Sequence, residues 1–256
     1  MESANPNKPH ILSCHGVTKH FGGLAAVKEV FFDIAENEVL GLIGPNGAGK
    51  TTLFNLIAGA IRPDKGSIYF EGRDITGFKP NVICRMGLGR TYQITKPFLQ
   101  MTVLENVICA CYFGTDEKRT LKDCSEVAKG ILNRIGLVDK IKKYGAELTL
   151  VERKRLEFAR ALGTKPRILL LDEVIAGLNP TETQEMVDLL SDIRTQGISI
   201  LMIEHVMKAV MGVSDRVIVL NHGQKIAEGL PAEIVSNSEV IEAYLGGMHH
   251  AQTVAG

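Results

Sequence analysis

The run Gly44-Pro45-Asn46-Gly47-Ala48-Gly49-Lys50-Thr51-Thr52 constrains this chain more than any other stretch. Val39 to Ile43 precedes it and reads as a short buried strand, and Leu53 to Ile57 follows with helical spacing. Strand, glycine-rich loop and helix, in that order, form the context in which G-x-x-x-x-G-K-[ST] cradles phosphate. Gly44, Gly47 and Gly49 allow a tight bend with positive φ, so that successive N–H groups converge on one anion. The helix that starts at the end of the loop adds its positive end to the same spot. Lys50 supplies an ammonium for β- and γ-phosphates, and Thr51 a hydroxyl for Mg2+. A chain built this way binds a nucleoside triphosphate.

Composition narrows the class. With 256 residues, the chain is long enough to bury about 75% of its unfolded surface, as one large domain or two lobes. Lys plus Arg and Asp plus Glu each number 29, so the formal charge is zero and no basic excess points to nucleic acid. No apolar stretch reaches the 18 or so residues of a membrane helix, and Met1 to Pro6 is no signal peptide. Five cysteines without a C-x-x-C pair suit reduced thiols, Cys109 and Cys111 being core residues and not zinc ligands. The expectation is a soluble, cytosolic protein.

Along the chain, Ile11 to Ser13 and Val30 to Ile34 read as strands. Phe21, beside Gly22 and Gly23, is expected on a loop upstream of the phosphate cradle, where its ring either stacks on a base or packs on the sheet. Ser67 to Phe70 returns as a strand, Pro80 to Met86 is a short helix, and Leu88 to Tyr92 another strand that delivers Gln93 at its end. An uncharged amide there can reach a metal-bound water. After Pro97 the pattern turns helical over Thr102 to Tyr112, over Thr120 to Ile135 and beyond Leu148, a helical insertion in an α/β domain. Thr149-Leu150-Val151-Glu152 is a capping box, and Lys154, Arg155 and Arg160 behind it read as a solvated face.

The sheet resumes with Ile168-Leu169-Leu170-Leu171-Asp172-Glu173, a strand buried on both faces with two carboxylates at its C-terminal end. Open α/β sheets place their ligands at such ends. Asp172 is positioned to hold Mg2+ through water, and Glu173 to orient and deprotonate an attacking water. Asn179 and Pro180 lead into a helix as N-cap and first-turn residue. Ile198 to Ile203 is a further core strand, ending at Glu204-His205, from which His205 reaches toward a γ-phosphate. Arg216 to Leu220 and Gln224 to Glu228 form a hairpin, Pro231 to Leu245 one or two short helices, and Gly246 to Gly256 a tail.

These pieces, in this order, resemble an ATP-binding cassette (ABC) ATPase over essentially the whole chain. In that resemblance Phe21 corresponds to the adenine-stacking aromatic, Gly44 to Thr52 to the Walker A loop and Gln93 to the Q-loop. Ile168 to Glu173 corresponds to Walker B with its catalytic glutamate, Ala176 to Asn179 to the D-loop, and His205 to the switch histidine. Within the family, Phe21 to Val27, Gly177 to Glu182, Ile203 to Met207 and Ile241 to Gly246 look like the LivG-type ATPase subunits of branched-chain amino acid importers.

The resemblance implies a P-loop α/β fold with an antiparallel β subdomain, a parallel core sheet and an inserted helical subdomain. It implies one domain over 1–256, with 1–93 and 163–256 as the RecA-like core and 94–162 as the helical signature subdomain. ATP and Mg2+ would be its cofactors; catalysis would fall to Glu173, His205 and Gln93, and metal binding to Thr51, Gln93 and Asp172. Partners would be a second ABC ATPase subunit, identical or related, and integral membrane permease subunits, on the cytoplasmic face of the inner membrane. The signature L-S-G-G-Q aligns with Leu148-Thr149-Leu150-Val151-Glu152, which keeps the hydroxyl of Thr149 and the N–H of Val151 as nucleotide contacts but loses both glycines. That departure keeps open a non-transport ABC ATPase acting as a scaffold, and importers of this kind also serve other solutes such as urea.

Overall fold

The computed structural model describes residues 9–91 and 97–253, the side chains through Leu245. Two sheets and a helical layer build it. The first sheet is antiparallel: β1 (His10–Phe21), β2 (Leu24–Ala35), β4 (Lys65–Phe70) and β5 (Arg73–Asp74) lie in the order β2-β1-β4-β5. The second contains β3 (Val39–Ile43), β6 (Leu88–Arg90), β7 (Ile168–Asp172), β8 (Ser199–Ile203), β9 (Arg216–Asn221) and β10 (Gln224–Gly229), in the order β10-β9-β3-β8-β7-β6. All neighbouring pairs of this sheet are parallel except β9 with β10.

The central strands β3, β7 and β8 are buried throughout, as strands covered on both faces must be. Their period of two sorts side chains between two cores. Leu40, Leu42, Leu170, Leu201 and Ile203 face a cluster shared with the antiparallel sheet and with α1 (Lys50–Ile57). Leu169, Leu171, Ile200 and Met202 face the opposite cluster, shared with α3 (Val103–Phe113), α4 (Leu121–Arg134), α5 (Leu150–Gly163) and α6 (Pro180–Thr195). Helix α1 is thus clamped between two sheets. Its Leu53, Phe54, Leu56 and Ile57 are buried, at about 1.5–3 kcal/mol each.

Helices α3, α4 and α5 start on threonine capping boxes, Thr102 with Glu105, Thr120 with Asp123 and Thr149 with Glu152. Only the last is expected from the sequence reading above, although all three share T-x-x-[DE]. The short helix α2 (Pro80–Arg85) forms as expected. Elsewhere the structure corrects the expectations. Phe21 is the last residue of β1, not a loop residue, because pairing continues through Phe21↔Leu24 to the Gly22-Gly23 turn. The strand before Gln93 is β6, ending at Arg90; Tyr92 and Gln93 lie outside the described residues. Helix α7 (Met207–Val213) follows His205 unannounced. Past α8 (Pro231–Ser236), α9 spans Ser238–Thr253 in place of a tail: Gly246 and Gly247 weaken a helix by about 1 kcal/mol each without breaking it.

Candidate functional site

The parallel register brings three strand ends level. Leu42 pairs with Ile203, and Ile203 with Asp172, so the loop after β3, Glu204-His205 after β8 and Asp172-Glu173 at the end of β7 lie side by side. This is the crevice at the carboxyl ends of an open parallel sheet.

On the β3 side, the loop from Gly44 to Gly49 runs into α1, whose N-cap Gly49 has φ 99°. No side chain caps this helix and no acid stands in its first turn. Helices α3, α4, α5 and α6 all carry a side-chain cap and a first-turn carboxylate. The first N–H groups of a helix lack intrahelical acceptors. At α1 alone among these five they are left for an anion from outside. A Cβ on Gly49 would stand 2.2 Å from the Ala26 carbonyl oxygen, and one on Gly44 2.1 Å from that of Leu220, so neither position admits a side chain.

The loop is braced from three places. The N–H of Gly223, in the β9-β10 turn, donates to the Ala48 carbonyl at 3.0 Å, while the Ala48 N–H donates to that of Pro45. The N–H of Gly44 donates to the Tyr244 hydroxyl of α9 at 2.9 Å. Lys50 folds back so that Nζ donates to the carbonyls of Gly44, 2.7 Å, and Pro45, 2.9 Å. Burial lowers the pKa of its ammonium, opposed by the nearby charges of Glu173 and Asp172. Asn46, Gly47 and Thr51 are exposed, and Thr52 is half-buried.

Opposite stands a buried acid. Asp172 is 3% exposed, and burial raises its carboxyl above the usual range although Arg90 opposes the shift. The Arg90 guanidinium lies 3.7 Å from Asp172 Oδ2 and donates to Asn55 Oδ1 of α1 at 2.8 Å. The Asp172 N–H donates to Thr91 Oγ1. Oδ1 of Asp172 has no hydrogen-bond partner among the described residues. Such an oxygen suits a bound cation or its water. No group of three or more His, Cys, Asp or Glu poised for a metal occurs among the described residues. The unpartnered Asp172 oxygen fits an ion that takes one or two protein oxygens and keeps water and phosphate ligands, as Mg2+ does.

Glu173 and His205 meet: Nε2 of the histidine lies 2.8 Å from Glu173 Oε1. Glu173 has φ 52°, left-handed for a residue with a side chain. Asp172 and Glu173 do not cap the next helix, since α6 has its own box of Asn179 and Glu182. Phe21 is 51% exposed at the tip of the β1-β2 hairpin, with Lys19 Nζ 5.8 Å from its ring centre. Its ring is a solvent-facing platform and not part of the sheet's packing.

Thr149 and Val151 stand apart from these groups. Leu148 roots their segment in the helical-layer cluster, on the sheet face opposite to the one holding Ala48 and Leu53. Thr149 Oγ1 accepts from the Glu152 N–H, and the Thr149 N–H donates to Glu152 Oε2 at 2.9 Å. Leu150 beside them is 65% exposed.

Sequence reasoning missed four residues. Arg90 and Tyr244 hold site atoms across 82 and 200 positions, too far for local pattern. Glu204, 1% exposed, accepts from the Ile175 N–H at 2.7 Å. Lys154, expected on a solvated face, turns inward to the carbonyls of Glu173 and Ala176. A cation in the second turn of α5, three residues before a buried Glu157, is the only local hint.

Comparison with known proteins agrees with this architecture. A family described as ABC transporter matches residues 27–176, and one described as branched-chain amino acid ATP-binding cassette transporter matches 224–250. The high-affinity branched-chain amino acid transport ATP-binding protein LivG of Salmonella typhimurium is 41% identical over 249 residues, covering 92% of this chain and 98% of LivG. BraF of Pseudomonas aeruginosa, named for the same transport, is 39% identical over the same shares. The crystal structure of the ADP conformation of MJ1267, an ATP-binding cassette of an ABC transporter, superposes with a TM-score of 0.84 at 32% identity, covering 93% of this chain and 99% of that one. The chain belongs to the ATP-binding cassette family of ABC transporters, and is one of its ATPase subunits.

Proposed function

We propose that this chain energises a branched-chain amino acid importer by binding and hydrolysing MgATP between two cassettes. The observation that carries the nucleotide site is the uncapped start of α1, with Lys50 at its mouth, facing Asp172, Glu173 and His205 across adjacent strand ends. In this reading the N–H groups of Gly47 to Thr52 and the Lys50 ammonium take the phosphates, with Gly44, Pro45, Asn46 and Ala48 shaping the loop. Phe21 stacks on the adenine. Thr51 and Asp172 would hold Mg2+, which would supply charge to neutralise the phosphates. Glu173 accepts the proton of the attacking water, and His205, now paired with it, holds that carboxylate and then the γ-phosphate. Gln93 is assigned a metal-water role from sequence alone.

The Thr149 segment belongs, in this reading, to the nucleotide of a second ABC ATPase subunit, identical or related. Its rooting on the opposite sheet face supports that assignment, since one chain does not bring it over its own cradle. The N–H groups of Leu150 and Val151, first in α5, have no intrahelical acceptors and the exposed Leu150 would be covered by the partner. The helical unit, 94–162, serves as the moving part against the remainder. No helix among the described residues is long and apolar enough to cross a membrane. Transport therefore calls for permease subunits, with this chain peripheral on the cytoplasmic face of the inner membrane. A groove of about 460 Å³ between α2, α3 and α5, lined by Phe98, Phe113 and Ala161 and by the charged Arg85, Glu157 and Arg160, would suit such a partner.

The test is uptake of labelled leucine, isoleucine and valine, with urea as comparison, in cells lacking the chain. Wild-type chain should restore branched-chain uptake and Glu173→Gln should not. Restoration of urea uptake alone would replace the proposed substrate.

A further inference from the structure

The turn from Glu173 to Ala176 connects the end of β7 to the start of α6 without joining any ladder, so its backbone groups need partners from elsewhere. Four of them are supplied by other elements. The Glu173 N–H donates to the Ile203 carbonyl at 3.0 Å. The Ile175 N–H donates to Glu204 Oε1 at 2.7 Å. The carbonyls of Glu173, at 3.2 Å, and of Ala176 both accept from Lys154 Nζ. Glu204 comes from the end of β8 and Lys154 from α5, so an acceptor and a donor grip the turn from two sides.

Both side chains are committed to the task at some expense. Glu204 is 1% exposed and its Oε2 has no hydrogen-bond partner among the described residues. Lys154 is half-buried, and burial lowers the pKa of its ammonium against the charges of Glu204 and Glu173. An apolar pair of similar volume would leave the Ile175 N–H and the Glu173 and Ala176 carbonyls without these partners. Glu173, meanwhile, holds φ 52°, a conformation that persists only where surroundings over-determine it. What the two side chains secure is the path of the backbone that carries this one carboxylate.

We propose that Lys154 and Glu204 are positioning residues for hydrolysis, fixing the Glu173–Ala176 turn and with it the place of the Glu173 carboxylate. The inference rests on the reading of Glu173 as the group that takes the water's proton. Lys154 lies two residues beyond Glu152 in α5, the helix capped by Thr149. A shift of that helix end therefore pulls on the Glu173 carbonyl directly.

The experiment measures ATPase turnover, KM for ATP and fluorescent-nucleotide affinity for the full chain and five variants: Lys154→Met, Lys154→Arg, Glu204→Leu, Glu204→Gln and Glu173→Gln. A base displaced by about 1 Å loses roughly 100-fold in rate. Lys154→Met should accordingly lose about 10- to 100-fold in kcat, with KM and nucleotide affinity held within about twofold. Lys154→Arg retains donors for both carbonyls and should recover most of the rate. Glu204→Gln keeps the acceptor for Ile175 and should stay near wild type, while Glu204→Leu should fall with Lys154→Met. Wild-type kcat in Lys154→Met would overturn the proposal, as would equal losses of kcat, affinity and melting temperature that arginine does not repair. If Glu204→Leu fails to fold, the two lysine variants decide. Glu173→Gln separates the layers. Wild-type turnover there would defeat the assignment of Glu173 itself, whereas an inactive Glu173→Gln beside an unaffected Lys154→Met would defeat only the positioning role.

Discussion

The backbone N–H of Gly44 donates to the phenol oxygen of Tyr244 at 2.9 Å, joining the first residue of the phosphate loop to a helix 200 positions away. The carbonyl of that same Gly44 accepts from Lys50. One glycine therefore passes the placement of α9 on to the ammonium of the cradle. Its φ of 147° and the Leu220 carbonyl, 2.1 Å from where a Cβ would stand, reserve the position for glycine.

Tyr244→Phe keeps the ring and strands a buried donor, a loss of about 1–3 kcal/mol. Thermal unfolding should show a destabilisation near the lower end of that range. Nucleotide affinity should weaken by about fivefold as the loop loosens. Unchanged affinity would mean that α9 only packs.

Lys50→Ala removes charge-assisted hydrogen bonds worth about 1.5–3 kcal/mol each and also leaves the Gly44 and Pro45 carbonyls without their donor. Titration calorimetry should find ATP affinity lower by at least about tenfold. Equal affinity would place the nucleotide elsewhere.

Glu204 gives stability a pH slope of definite sign. Burial pushes its carboxyl up to about 7 from 4.5, against the Ile175 and His205 N–H groups and the Lys154 charge, with Glu173 adding to the rise. A folded-state pKa above the unfolded one means that the folded chain binds the extra proton between those values. Glu204's contribution is therefore most favourable below about pH 4.5 and falls as pH climbs past about 7, by roughly 3 kcal/mol in all. Glu204→Gln should flatten this part of the profile and raise the melting temperature at pH 8 more than at pH 5. A variant that melts lower at pH 8 would contradict the sign.

Local chemistry was legible in the sequence, and long-range partnership was not. The phosphate loop, the acids closing β7 and the Thr149 capping box are each written in a few consecutive residues, because turns, caps and buried strands are set by neighbours in the chain. The same signal at Thr102 and Thr120 went unread, although its spacing is identical. Lys154 shows the limit. Its position amid Arg153 and Arg155 suggests solvent, and only the packing of α5 against the end of β7 turns it inward. Arg90 is similar: its partners Asn55 and Asp172 come from α1 and β7, brought together by sheet order. The length of α9 was hidden by a glycine pair that reads as a break.

The most direct test of the whole account is sedimentation of Glu173→Gln with and without MgATP. Loss of the carboxylate that takes the water's proton should leave the cradle intact, so ATP is bound and not cut. The variant should sediment as a dimer holding ATP, and as a monomer without it. A variant that stays monomeric in saturating MgATP, or one that hydrolyses at the wild-type rate, would contradict the claim that two such cassettes close on a triphosphate that Glu173 then cleaves.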